Sequence, residues 1–173
     1  MCPLFGLNDI EDNMTELDHI FKWRRINARL TTSGQPDVDQ LANIRKLGVT
    51  HVINLGLGHG EGALEDEADH VVALGMIYIH IPVDFENPTD QDFEDFQDAM
   101  AGIQDTKVHV HCIYNARVSA FIYRYAKSNA EIGEDAALAN MHSIWRPGDD
   151  WAAFIDDPTA KGGPNQYAGE DYD

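Results

Sequence analysis

Basic residues are scarce in this chain of 173 residues: 12 Lys and Arg stand against 30 Asp and Glu, for a formal net charge of -18. Surfaces that hold nucleic acid or anionic lipid are built from clustered Lys and Arg, so this balance excludes a large polyanion interface. Small molecules, proteins or a strictly local anion site are left. Cysteine is scarcer still: Cys2 and Cys112 are too few for a disulfide framework, and Cys112 is expected to be a free thiol. No apolar run approaches the ~20 residues that a membrane helix needs, so no membrane partner is expected. The start, Met1 to Gly6, has neither the basic stretch nor the apolar core of a secretory signal, which makes a cytoplasmic location the default expectation.

Against these shortages stand 43% hydrophobic residues, enough for one core in one domain. Residues 1–24 are expected to be an acidic leader, 25–157 the folded domain, and 158–173 a flexible acidic tail. Within the domain, strand and helix signals alternate. Val38, Leu41, Ile44 and Leu47 recur on one helix face, followed by Gly48 and a β-branched run, Val49 to Leu55. A Gly-rich turn, Gly56 to Gly62, leads to a helix through Leu64, Ala68, Val71, Val72 and Leu74, and then to a strand from Met76 to Val83. Thr89 caps a helix with Phe93, Phe96, Met100 and Ile103 turned inward, and Lys107 to His111 is a further strand. Two helical stripes follow, one through Val118, Phe121, Ile122 and Tyr125 and one through Leu138, Met141, Ile144 and Trp145. This order implies an α/β fold with a central, mostly parallel sheet of four to five strands flanked by helices. Ligands in such folds bind beyond the carboxyl ends of the strands, here the loops after Leu55, Val83 and His111.

Cys112 follows a strand and precedes a helix, in the run His111, Cys112, Ile113, Tyr114, Asn115, Ala116, Arg117, Val118, Ser119. Backbone N–H groups at such a turn point toward a bound anion, the same field favours thiolate over thiol, and Arg117 can clamp two oxygens in a fork. Burial alone would account for a cysteine at a strand end, but not for an arginine five residues on. His109 and His111 share a strand face; a core pair bonded to backbone is the simpler reading, and a metal pair the alternative. His59, Glu61, Glu65 and His70 have no zinc-ligand spacing, so no metal is assigned.

Four pieces in order, Thr32-Ser33-Gly34-Gln35-Pro36, Gly48 to Leu55, His80-Ile81-Pro82-Val83, and His111-Cys112 with Arg117, resemble the bacterial tyrosine-phosphatase-like domains related to dual-specificity phosphatases. The resemblance implies a dual-specificity-phosphatase-like fold over about residues 25–146 and a metal-free, cofactor-free reaction. It implies that Cys112 attacks phosphorus, that Arg117 binds the phosphoryl oxygens, and that the amides of Ile113, Tyr114, Asn115, Ala116 and Arg117 line the cradle. Asp84, at the end of the His80 strand, best matches the acid that protonates the leaving oxygen, with Glu86 in reserve. His111 would orient the loop, and the Ser119 hydroxyl would assist the thiolate. The implied partner is a phosphorylated small molecule or phosphoprotein; oligomeric state is left open.

The chain departs from the family signature in one respect. Five residues ordinarily separate Cys from Arg, and here only four do; Asn115 stands at the usual glycine, as the next most tolerant residue of left-handed backbone. The shorter spacing is similar to the active loop of rhodanese-like sulfurtransferases, where the cradle holds a persulfide. A module that only binds anions is a third reading. A fourth, dinucleotide binding at Gly58-His59-Gly60-Glu61-Gly62-Ala63 with Asp84 as the ribose-binding acid, is disfavoured because Glu61, Glu65, Asp66 and Glu67 would repel a pyrophosphate.

Overall fold

The computed structural model describes residues 17–160 and 162–167. Its central sheet has five strands: β1 (Arg24–Arg25), β2 (Leu30–Ser33), β3 (Val49–Asn54), β4 (Ile77–His80) and β5 (Lys107–His111), in the order β1-β2-β5-β3-β4. β1 runs antiparallel to β2 and every other pairing is parallel, as the alternating pattern implies. The helices are α1 (Val38–Lys46), α2 (Glu67–Ala73), α3 (Asp90–Gly102), α4 (Ala116–Ala126), α5 (Glu134–His142) and α6 (Asp149–Ile155). None of them is long and apolar enough to cross a membrane.

Period-two alternation along the central strand β5 divides the interior in two. Val108, Val110 and then Cys112 join the larger core, with Leu30, Ile53, Leu55, Phe96 and Phe121. His109 turns to the other face, stacking on Trp23 at 5.3 Å, where Leu41, Ile44, Val52, Val71 and Met76 form a second core. Local caps set the helix starts. The Asp37 side chain accepts from the Gln40 amide in a capping box at α1, and Thr89 caps α3 in the same way with Asp92.

Several expectations shift. Val38 is 40% exposed, because it starts the helix ahead of the stripe that Leu41 and Ile44 bury. α2 begins at Glu67 and not near Leu64: Asp66, just before it, has φ 54° and ψ 32°, left-handed backbone that a right-handed helix cannot run through. On the N-terminal side of residue 25, Leu17, Ile20 and Trp23 are buried in the second core. Beyond residue 158, β7 (Gln166–Tyr167) pairs antiparallel with β6 (Trp145–Arg146), and Tyr167 stacks on the buried Trp145 at 5.6 Å. The acid-rich composition of that segment hid an aromatic anchor. Cys2 lies outside the described residues.

Gly34 joins β2 to the site. A Cβ there would stand 2.6 Å from the Ile113 carbonyl oxygen and 2.8 Å from Phe21 Cδ1, so backbone and ring would both have to move. Gly34→Ala is expected to lower stability by about 1–3 kcal/mol, the usual cost of overpacking, measured as the urea unfolding midpoint. An unchanged midpoint would show that this approach is not a constraint.

Candidate active site

β5, the middle strand, delivers Cys112 to the sheet's carboxyl edge, between loops carried by its two neighbours. The Leu55 amide donates to the His111 carbonyl at 2.8 Å, and the Gln35 amide donates to the Ile113 carbonyl at 3.1 Å. Asn115 then turns the chain into α4 with φ 71° and ψ 3°, the left-handed conformation expected of it. Its amide locks the turn by donating to the Lys22 carbonyl at 2.8 Å and the Thr32 hydroxyl at 3.1 Å. Cys112 is fully buried, at the floor of a cavity of about 210 Å³ that it lines with Phe85, Tyr114, Ala116, Arg117 and Tyr167.

Arg117 sits in the first turn of α4, 8% exposed, and its Nη1 donates to the Val83 carbonyl at 2.9 Å. The guanidinium carbon lies 6.0 Å from the Phe85 ring centroid. One arm of the fork is therefore fixed by the backbone, and Arg117 lines the same cavity as Cys112. Tyr114 meets Tyr167 edge-on at 5.6 Å, while Trp151 Nε1 holds the Phe85 carbonyl at 2.8 Å. The wall around the sulfur is thus largely aromatic. Ile113 points away from the cavity wall into the glycine loop, with its Cγ2 3.0 Å from where a Gly62 Cβ would lie.

Two expected side chains are elsewhere. Asp84 was expected to face the Cys112 loop, but the strand continues extended through Ile81 and Val83, both buried, which turns Asp84 outward and Phe85 toward the cavity. The Asp84 carboxylate accepts the Glu86 amide at 2.9 Å, and Glu86 is itself exposed. Ser119 was expected to assist the thiolate; its hydroxyl instead donates to the Ala116 carbonyl at 3.0 Å and accepts from Trp145 Nε1 at 3.0 Å. A helix places residue i+3 over that carbonyl, so spacing from Cys112 was not the quantity that mattered. Ser119 links α4 to Trp145, and through that ring to Tyr167.

The two histidines lie beneath the cradle on the α1–α2 side. Ser33 Oγ donates to the Gly34 carbonyl, so it accepts from His109 Nε2 at 2.8 Å, and Thr31 Oγ1, also at 2.8 Å, donates to Nδ1. This network holds a neutral ring, and burial, followed by the His111 charge, pushes its pKa well below the ordinary histidine value. His111 Nδ1 lies 3.2 Å from the Cys112 carbonyl, the backbone contact expected of it. Its other nitrogen meets Glu67, which the sequence presents only as one acid of a charged helix start: it is 5% exposed, with Oε2 at 2.5 Å. Both histidines have their nitrogens engaged in this way, and no group of three metal-ligating side chains stands together among the described residues.

A larger cleft, about 580 Å³, lies at Arg29, Asp98, Gln104, Asp105, Tyr125 and Glu131. Its one arginine is already bidentate to Glu131, so it offers no equivalent anion cradle. The glycine loop does not support dinucleotide binding either. Helix α2 starts five residues after Gly62 and is seven residues long, and its first turn is acidic.

No family model matches the chain. Among solved structures, a DUF442 protein from Shewanella putrefaciens CN-32, described as a candidate phosphatase, superposes with a TM-score of 0.73 at 32% identity, covering 87% of this chain and 99% of that one. The chain belongs to the DUF442 family. Its fold is that of the cysteine-dependent phosphatases, shared with P. aeruginosa TpbA in complex with pTyr (TM-score 0.60, 18% identity, 82% of this chain and 85% of that one). The core catalytic domain of the S. cerevisiae PP-IP phosphatase SIW14 has it too (TM-score 0.62, 11% identity, 80% and 85% covered). Beta-lactamase hydrolase-like proteins of Xylella fastidiosa are 34% identical over 127 residues, 69% of this chain. The chain spans 28% of the length of those curated relatives.

Proposed function

We propose that this DUF442 protein is a cysteine-dependent phosphatase that hydrolyses phosphomonoesters on small molecules or phosphoproteins. The observation that carries the reading is the joint placement of Cys112 and Arg117 in one cavity at the N-terminus of an 11-residue helix. There the helix amides and the guanidinium act on the same anion at contact distance, where surface acids beyond a Debye length of ~8 Å are screened. The Cys112 thiolate attacks phosphorus, forming the S–P bond as the ester P–O bond breaks, and the leaving oxygen takes a proton. Water then attacks phosphorus while giving a proton to the carboxylate that the first step left deprotonated, the S–P bond breaks, and inorganic phosphate leaves with the thiolate restored. The leaving-group proton is assigned to Asp84, which must move inward from its exposed place at the start of the turn closed by the Asn87 amide. Glu86, on the same turn, is the reserve. Phe85, Tyr114 and Tyr167 favour a flat, aromatic leaving group, including that of a phosphotyrosine side chain.

Hydrolysis of para-nitrophenyl phosphate by the wild-type chain, and its loss in Cys112→Ser, is the expected result. Turnover untouched by Cys112→Ser would sink the mechanism.

One observation favours a second reading, sulfur transfer. The Cys112-to-Arg117 loop is one residue short of the phosphatase form, and the small cavity has no acidic side chain in its lining. A persulfide on Cys112 needs a compact cradle and no general acid. Formation of thiocyanate from thiosulfate and cyanide, without phosphate release from the aryl ester, selects that reading. Saturable phosphate binding with neither turnover selects an anion-binding module.

A further inference from the structure

Beneath the cradle, three side chains form a continuous line to the nucleophile's backbone. Gln35 Nε2 donates to Glu67 Oε1 at 2.7 Å, Glu67 Oε2 lies 2.5 Å from His111 Nε2, and His111 Nδ1 lies 3.2 Å from the Cys112 carbonyl oxygen. A carboxylate this deeply buried costs several kcal/mol unless an opposite charge accompanies it. Here the only basic side chain in hydrogen-bond contact with it, among the described residues, is His111. Both nitrogens of that ring face acceptors, a carboxylate and a carbonyl. The arrangement is fully hydrogen-bonded when Nδ1 carries a hydrogen and one proton lies between Nε2 and Glu67 Oε2; on Nε2, that proton makes an imidazolium against a carboxylate.

We propose that Glu67 is a positioning residue for Cys112: its carboxylate keeps His111 cationic directly behind the cysteine, which favours the thiolate, and Gln35 fixes the carboxylate in place. The role rests on Cys112 being the reactive thiol, and not on whether phosphorus or sulfur is what Cys112 takes. It gives a purpose to the Gly34-Gln35-Pro36 segment, which braces the loop twice, through the Gln35 amide on the Ile113 carbonyl and the Gln35 side chain on Glu67.

The other titratable and charged groups facing this line come from three elements. Arg117, from α4, shares the cavity with Cys112. His109, from β5, stacks on His111 at 6.3 Å in its neutral form. Tyr78, from β4, is pushed up to about 12, chiefly by burial, with the Asn54 hydrogen bond opposing and Glu67 adding to the rise. None of these changes charge near neutral pH in a way that would imitate the loss of a carboxylate.

Glu67→Gln separates charge from packing. The amide oxygen can still accept from Gln35, and the amide nitrogen can donate to a neutral His111, whose Nδ1–H then bonds the Cys112 carbonyl. Every hydrogen bond survives while both charges disappear. Ultraviolet absorbance of the Cys112 thiolate is followed against pH on the full chain, with Cys112→Ser as the blank. The midpoint is expected to rise in Glu67→Gln by about one pH unit, the scale on which a neighbouring charge acts. An unmoved midpoint in a folded variant overturns the proposal. Nitrogen NMR of the wild-type ring supplies a test that no variant can spoil: two protonated ring nitrogens on His111 at neutral pH are expected, and a single one overturns it. Absence of any Cys112 thiolate in the wild type overturns instead the reading of Cys112 as nucleophile, and this proposal with it.

Discussion

Arg117→Ala is expected to lower kcat/KM for an aryl phosphate on the order of 10³-fold while leaving the protein folded, the loss seen when a preorganised charge donor is removed from a transition state. The residue reaches the cavity from the first turn of α4 and is held by the Val83 carbonyl at 2.9 Å. Its position is therefore paid for before substrate arrives, and no ordering of a long side chain is needed in the transition state. Arg117→Lys keeps the charge but cannot bond Val83 and grip two oxygens at once, so it is expected to recover only a small part of the lost rate. The measurement is a saturation curve with each variant beside an unfolding curve. Near-wild-type kcat/KM in Arg117→Ala would mean that the guanidinium serves Val83 and Phe85 alone.

Phe121→Ala is expected to cost about 3–5 kcal/mol of stability, the range for removing a buried aromatic ring that its surroundings cannot replace. The ring is fully buried, with centroids of Phe154 at 5.4 Å, Phe96 at 5.7 Å and Phe93 at 5.9 Å. Three partners on two separate helices, α3 and α6, cannot collapse together into the vacated space. Phe121 is one turn beyond Arg117 on α4, so the loosened packing is also expected to weaken anion binding. Chemical denaturation measures the first effect; a loss below about 1 kcal/mol would show a core that relaxes far more than its packing indicates.

The parts of this structure that follow from neighbouring residues were legible in the sequence. Thr89 caps α3 because its hydroxyl needs only the amide three residues on, and Asn115 adopts the left-handed turn because the conformational preference is its own. The strand–loop–helix around Cys112 followed from β-branched spacing and a helical stripe. What was not legible depends on register or on partners distant in sequence. Asp84 ends up outside because one further residue of extended chain reverses its face. Glu67 sits in an acidic run that looks like a solvated surface, and only the folded chain reveals that the first residue of α2 opposes His111 at the end of β5. Tyr167 lies in a segment whose acids and glycines suggest a loose tail, yet its ring is held by Trp145 across a two-residue ladder. Ser119 kept the expected spacing and took another partner, since an α-helix brings the Ala116 carbonyl within its reach.

The central claim is that Cys112 takes the phosphoryl group. Mixing the wild-type chain with an aryl phosphate, quenching in acid within a turnover and weighing the Cys112 peptide by mass spectrometry tests it directly. A phosphoryl group on Cys112, absent from Cys112→Ser, is the expected result. Phosphate release with an unmodified Cys112 peptide at every quench time, or an added sulfur atom on Cys112 from thiosulfate with no phosphoryl group from the ester, would contradict it.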